Sequence, residues 1–336
     1  LSAGQTYAWN FGDPASGANN TSTLQNPTHN YTNTGNYNVT VTVTNSNGCV
    51  DDSTINATFS VTPALSFPAL TAVCESVAGT VSVATATVTN NVTGTGVYSG
   101  PGVDAAGNFS PSTAGAGLHT ITYTFTSTGN CVASITQTIR VYPKPLAVFS
   151  ITPDLCLGQS AQIVNSSSIP SGSITSWQWI YGDGNNNTLN NGNTYTYTYS
   201  NFGTYQVSLV TVSNQGCVSD TARQSSTVHA VPVAGFDMPA SVCMPNGMVN
   251  FSNTSTVADG SALSYQWNFG DGNSSSAVSP GHVYASINTY TVTLTASNAA
   301  GCTDDSVRVF DAFFDKPIAL FDASPDKVCF GNAHSF

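Results

Sequence analysis

The sequence predicts an all-β fold, with several β-sandwiches repeated in tandem along 336 residues, and three observations carry that prediction. Apolar residues alternate with Thr and Ser in many runs, among them Tyr37-Asn-Val-Thr-Val-Thr-Val43, Tyr205-Gln-Val-Ser-Leu-Val-Thr211 and Tyr290-Thr-Val-Thr-Leu-Thr-Ala296. A period of two is the signature of a strand with one buried face. A compound pattern also recurs. Tyr265-Gln-Trp-Asn-Phe-Gly-Asp-Gly272, followed by His282-Val-Tyr284, the alternating strand and Gly301-Cys302, is matched by Tyr7-Ala-Trp-Asn-Phe-Gly-Asp13 with His29-Asn-Tyr31 and Gly48-Cys49. A third copy is Trp177-Gln-Trp-Ile-Tyr-Gly-Asp-Gly184 with Tyr197-Thr-Tyr199 and Gly216-Cys217. Finally, the cysteines fall into two classes, each returning every ~85 residues, about the length of one small sandwich.

Taken in order, residues 1–62 are the back part of a repeat that lacks the first strand and early cysteine. Its turn reads Gly12-Asp13-Pro14 where the others have Gly-Asp-Gly. Residues 63–145 are the odd member, with two cysteines but neither Trp nor Gly-Asp-Gly; Gly94-Thr-Gly-Val-Tyr-Ser-Gly-Pro-Gly102 stands in their place. Residues 146–232 and 233–315 are complete repeats, opening on Ala147-Val-Phe149 and Ala234-Gly-Phe236, and 316–336 begins another with Ala319-Leu-Phe321. Each opening Phe is expected to point inward. The junctions Tyr142-Pro-Lys-Pro145, Val231-Pro232 and Lys316-Pro317 are short, and proline restricts itself and the residue before it. Such linkers predict an extended rod, of order ~150 Å for strands rising ~3.3 Å per residue.

Composition narrows function. Charged residues are 7% of the chain with a net charge of -11, and Glu75 is the one glutamate. So few cations cannot neutralise a phosphate backbone, which argues against nucleic-acid partners. No apolar run approaches a membrane span, so direct membrane insertion is not expected, and no signal peptide is recognisable at Leu1. The chain reads as a piece of something longer.

Cys74, Cys156, Cys243 and Cys329 come early in a repeat; Cys49, Cys131, Cys217 and Cys302 follow Gly or Asn late in one. Spacing pairs them within repeats as Cys74–Cys131, Cys156–Cys217 and Cys243–Cys302, with Cys49 and Cys329 pairing outside the segment; free core thiols are the alternative. No C-x-x-C pair or His cluster offers zinc. Each such bridge would close a loop of roughly 60 residues, contribute roughly 3–4 kcal/mol, and imply an oxidising, extracytoplasmic compartment.

Trp-x-Phe-Gly-Asp-Gly, His-x-Tyr and the Tyr-x-Val-x-Leu strand together resemble the PKD (polycystic kidney disease) module, an immunoglobulin-like β-sandwich. The resemblance covers 1–62, 146–232 and 233–315. The 63–145 stretch, an Ig-like sandwich by pattern, resembles repeats interspersed with PKD modules in giant surface adhesins of Bacteroidota. That likeness implies a secreted, extracellular, cell-surface protein exported by the type IX route. Its expected role is a non-catalytic stalk in adhesion or gliding, with neighbouring modules, surface polysaccharide or other surface proteins as partners. PKD-like modules also accompany secreted hydrolases such as collagenases and chitinases, where they space or dock the catalytic domain. The alternative role is therefore accessory, and an exposed aromatic stripe, for which Tyr195, Tyr197 and Tyr199 are candidates, would favour it. Strand alternation instead places those rings inward. A third possibility is assembly into filaments by donation of an exposed first strand.

The chemistry-bearing residues read mostly as structure. Asp13, Asp183 and Asp271 recur at one turn, where a carboxylate accepts backbone N–H groups. Trp9, Trp179 and Trp267 are expected in the cores, and Trp177 shares the face of Trp179. His29 and His282 stand where another repeat has Tyr197, an exchange that suits packing, and no Ser-His-Asp set is apparent, so no enzyme is expected. Calcium is a possible ligand at Asp311, Asp315, Asp322 and Asp326, near a repeat edge. Asp52-Ser53-Thr54, Asp220-Thr221-Ala222 and Asp305-Ser306-Val307 resemble the O-glycosylation sequon of Bacteroidota proteins, which makes Ser53, Thr221 and Ser306 candidate glycan sites; repeat homology carrying a strand-start Asp is the alternative reading.

Overall fold

The computed structural model describes residues 4–320 and is almost wholly β. Cys329, Asp322 and Asp326 lie outside the described residues. The described chain divides into two compact units. One holds the residues up to Leu146 with Ser168–Thr175 and Thr211–Asp220; the other holds Ala147–Ser167, Ser176–Val210 and the residues from Thr221 onward.

The first group of strands forms a single sheet, in spatial order Thr21–Ser22, Thr6–Asn10, Gly35–Thr44 and Val50–Phe59. Phe11, Tyr37 and Val39 are its buried apolar residues. Trp9 is only half-buried, a correction to the expected core position. Its counterparts Trp179 and Trp267 are each covered by the Phe of an Ala-x-Phe opening, with ring centroids 4.9 Å from Phe149 and 5.1 Å from Phe236. No such strand precedes Trp9 among the described residues.

Each of the next three groups repeats one plan. A long hairpin, Gly117–Ser127 with Val132–Tyr142, is flanked by Gly94–Ser99 on one side and by Val73–Cys74 on the other, the last in parallel. Gly203–Ser213 and Ala222–His229 form the equivalent hairpin further on, with Ile174–Ile180 beside it and Asp154–Cys156 parallel to its far strand. In the last group the hairpin is Tyr290–Asn298 with Thr303–Phe310, beside Leu263–Asn268, and Val242–Cys243 runs parallel to Phe313–Phe314. Shorter strands close the opposite layer, such as Phe149–Ile151, Ser160–Asn165 and Tyr195–Thr198. Each core fills the space between the layers, as alternation demands. One packs Phe67, Tyr98, Phe109, Ile121 and Ile139; another packs Phe236, Phe251, Trp267, Tyr284 and Leu294. Among the described residues, no helix is long and apolar enough to cross a membrane.

Candidate functional site

The recurring Gly-Asp turn builds a buttressed carboxylate in three of the four groups. Gly12, Gly182 and Gly270 adopt φ of 69°, 85° and 82°. A Cβ at these positions would sit 2.6, 2.7 and 2.5 Å from the carbonyl oxygens of Asn38, Gln206 and Thr291, so both torsion and space demand glycine. The turn delivers the following carboxylate beneath an aromatic stack. Phe11, Tyr181 and Phe269 lie face to face with His29, Tyr197 and His282, with centroids 4.4, 3.7 and 4.1 Å apart. The stacked ring then meets the carboxylate. His29 Nε2 is 3.2 Å from Asp13 Oδ2, His282 Nε2 is 2.7 Å from Asp271 Oδ2, and the Tyr197 hydroxyl donates to Asp183 Oδ2 at 2.7 Å.

Burial raises the carboxyl pKa at Asp13, Asp183 and Asp271, but donors outweigh it and each ends below the usual carboxylate value. The donors are the Thr32 N–H with His29 for Asp13, Tyr197 with Asn185 for Asp183, and His282 with Asn273 for Asp271. Burial, and then the bond to Asp183, pushes Tyr197 up to about 12. A second tier of aromatics follows. Tyr31, Tyr199 and Tyr284 meet the first ring edge-on, and Tyr37, Tyr205 and Tyr290 each donate to a carbonyl four residues upstream, at 2.9, 2.8 and 3.1 Å. This tyrosine corner is written in the sequence as the Tyr that opens each alternating strand, yet strand alternation alone assigns it no bond. Tyr195, Tyr197 and Tyr199 are all engaged inward, and Trp177 is buried beside Trp179 with neither indole N–H partnered.

The cysteines form the second feature, and here the expected pairing is overturned. The bridges are Cys74–Cys217 and Cys156–Cys302, each joining one repeat to the next and each lying within one compact unit. Cys131 and Cys243, assigned above to Cys74 and Cys302, carry no bridge to a described residue. The reason is hairpin length. Cys74 pairs beside Tyr142, whereas Cys131 sits in the turn at the other end of that same strand, Val132–Tyr142. Eleven residues of strand put the two roughly 35 Å apart at ~3.4 Å per residue, against the ~7 Å that a disulfide tolerates between Cα atoms. Cys156 beside His229 and Cys217 in its hairpin turn stand in the same relation, as do Cys243 beside Phe314 and Cys302. In every turn a side-chain oxygen four residues earlier accepts the cysteine N–H: Asn45 for Cys49, Ser127 for Cys131, Ser213 for Cys217 and Asn298 for Cys302.

The linkers are held as well. Asn298 Nδ2 donates to the Ala230 carbonyl at 3.0 Å, Asp259 accepts the Ala230 N–H at 3.4 Å, and Asp304 accepts the Ala234 N–H at 2.8 Å, so Val231-Pro232 is clasped from both sides. At the preceding junction the Lys144 N–H donates to Glu75 at 3.4 Å and its ammonium pairs with Asp220. Edge aspartates such as Asp259 and Asp304 are thus engaged with backbone. Among the described residues, no three His, Cys, Asp or Glu side chains gather as a metal site would require; Asp311 and Asp315 are within that set. Of the sequon hydroxyls, Ser53 and Thr221 are exposed and Ser306 is half-buried.

Immunoglobulin-like β groups repeated along the sequence, three with an aromatic-backed Asp turn, define the class: tandem all-β modules. A family model described as "PKD domain" matches residues 2–61, 142–228 and 229–310, and the chain belongs to that family, whose members are extracellular, non-catalytic modules. It is 33% identical over 107 residues to the pre-pro-metalloprotease PrtV of Vibrio cholerae, covering 32% of this chain and 11% of that protein. It is 42% identical over 57 residues to the collagenase ColA of Bacillus cereus, covering 17% of this chain and 6% of that one. The chain therefore spans only about a tenth of the length of these relatives, or less. The crystal structure of the PKD1 domain of Vibrio anguillarum Epp is similar at 32% identity and a TM-score of 0.22, covering 25% of this chain and 94% of that one.

Proposed function

We propose that this chain is a non-catalytic tether segment of a long secreted surface protein, with modules at 1–62, 63–145, 146–232, 233–315 and the start of another at 316–336. The observation that carries the reading is that consecutive repeats are bridged to one another, with the linkers clasped by side chains. A spacer that transmits force has use for covalent links between modules. A docking module needs only its own core. The partners in this reading are the neighbouring modules and, at the far end of the molecule, surface polysaccharide or surface proteins. A Bacteroidota-type adhesin with type IX export and a role in gliding is the fuller form of the proposal. Ser53, Thr221 and Ser306 are its proposed O-glycan sites, where sugar would solubilise a surface poor in charge. Calcium at the edge holding Asp311 and Asp315 is a further part of it.

The second reading, an accessory spacer beside a secreted hydrolase, is favoured by the metalloprotease and collagenase relatives. Intact-mass and peptide mapping of the native protein separates the two. A chain of many such modules, modified at the three hydroxyls, supports the tether. A chain ending in a hydrolase domain overturns it, and unmodified peptides across all three hydroxyls end the glycan proposal.

A further inference from the structure

Both bridges follow one rule. An early cysteine joins the late cysteine of the following repeat, at separations of 143 and 146 residues. Three other described cysteines occupy these same positions, Cys243 as an early one and Cys49 and Cys131 as late ones. Cys243 lies beside Phe314 in the register that Cys74 has with Tyr142 and Cys156 has with His229. In all three the next N–H donates to that strand-end carbonyl, from Met244, Glu75 and Leu157 at 2.8, 2.8 and 2.9 Å. Cys243 is exposed there. Cys131 is the complementary half. Its Sγ lies 3.6 Å from the Ser60 carbonyl oxygen, as the Cys217 Sγ lies 4.0 Å from that of Tyr142. Gly129 of the same turn sits so close to Ser60 that a Cβ would overlap the hydroxyl. The turn is therefore already docked on the end of the preceding strand, where one repeat later Cys74 meets Cys217.

We propose that the ladder of bridges continues in both directions. Cys243 bonds to a late cysteine of the same chain about 145 residues after it, and Cys131 to an early cysteine about 145 residues before it. By nearest-neighbour repetition these partners fall about 50 residues past Phe336 and about 15 residues before Leu1. In forming each bond, two thiols lose their protons and two electrons to the disulfide of a thiol oxidase. An S–S bond forms in the chain, and the oxidase disulfide becomes a dithiol. Each module would then be stapled to both neighbours, at opposite ends of its hairpin.

Non-reducing peptide mapping of the full-length native chain, alkylated before digestion, tests this. Cys131 and Cys243 are expected to escape alkylation and to appear in cross-linked peptides with cysteines of the same chain at those separations. Alkylation of either one, a link within its own repeat, or a link to a second copy of the chain overturns the proposal. In full-length Cys131→Ser protein, one new alkylatable thiol is expected, on the amino-terminal side of Leu1; an unchanged thiol count overturns the assignment. Should that variant fail to fold, Cys243→Ser gives the same reading from the other end, and the unmutated map decides alone.

Discussion

The groups at 65–142 and 236–314 reach the same arrangement of strands with different interiors. Tyr98 pairs with Tyr123 four residues before Ser127, and Trp267 pairs with Leu294 four residues before Asn298, so Tyr98 holds the register position of the tryptophan. Its hydroxyl accepts the Ala86 N–H at 3.0 Å, bonding to backbone much as the Trp267 indole N–H does when it donates to Ala277 at 2.9 Å. The acidic turn differs too. Asp271 reaches across to His282, while Asp104 binds only its own loop, through Ala106 and Asn108 at 3.0 and 2.8 Å. What the two share is the early cysteine beside the strand end and the late cysteine in the hairpin turn. Bridging therefore depends on register, and the PKD interior is one of at least two ways to fill the space beneath it.

Pulling on the chain probes the shared part and has the largest expected effect. Cys156 precedes Cys217, so the two bridges overlap. Held outside Cys74 and Cys302, the oxidised chain can release only the stretch between Cys156 and Cys217, roughly 60 residues or 200 Å at ~3.4 Å each. Reduced, it releases roughly 230 residues or 800 Å. Equal contour lengths with and without reductant would rule the bridges out. Loops of 143 and 146 residues also imply a thermodynamic contribution near 5 kcal/mol per bridge, if unfolded-chain entropy dominates.

The next contrast is in the interiors. Trp267 is fully buried, and Trp267→Ala should cost about 3–5 kcal/mol in denaturant melts. Trp9→Ala, at a half-buried ring, should cost about 1–2 kcal/mol. Matching losses would mean that Trp9 is covered by chain outside the described residues.

Acid sharpens the comparison of the turns. The folded pKa of Asp271 lies below its unfolded value, so its contribution is complete above about pH 4 and is lost as pH falls through the lower folded value. Asp271→Asn should cost about 1.5–3 kcal/mol at neutral pH and flatten the stability loss below pH 4. Asp104→Asn, in an exposed local loop, should change the neutral-pH stability less. A larger effect at Asp104 would reverse the ranking of the two turns.

The smallest effect concerns a clasp. Asp304→Ala removes the acceptor for the Ala234 N–H and should cost about 1 kcal/mol. Hydrogen exchange at Ala234 should quicken while that at Val292 stays slow; unchanged exchange at Ala234 would deny the clasp any role in holding the linker.

Alternation and repetition determined the all-β class, the inward faces of Phe149, Phe236, Trp179 and Trp267, and the recurrence of a Gly-Asp turn. Those features are local, set by a period of two and by a repeated short motif, so residue types suffice to reveal them. The aromatic stack over Asp271 was partly visible, since His282 and Tyr197 share a repeat position, but ring contact depends on how two layers meet. Trp9 and the cysteine pairing were decided by tertiary structure alone. Spacing within the repeat pairs Cys74 with Cys131, whereas an eleven-residue strand holds them at opposite ends of the sandwich. A stiff strand turns closeness along the chain into separation in space, so each cysteine bonds to the neighbouring repeat.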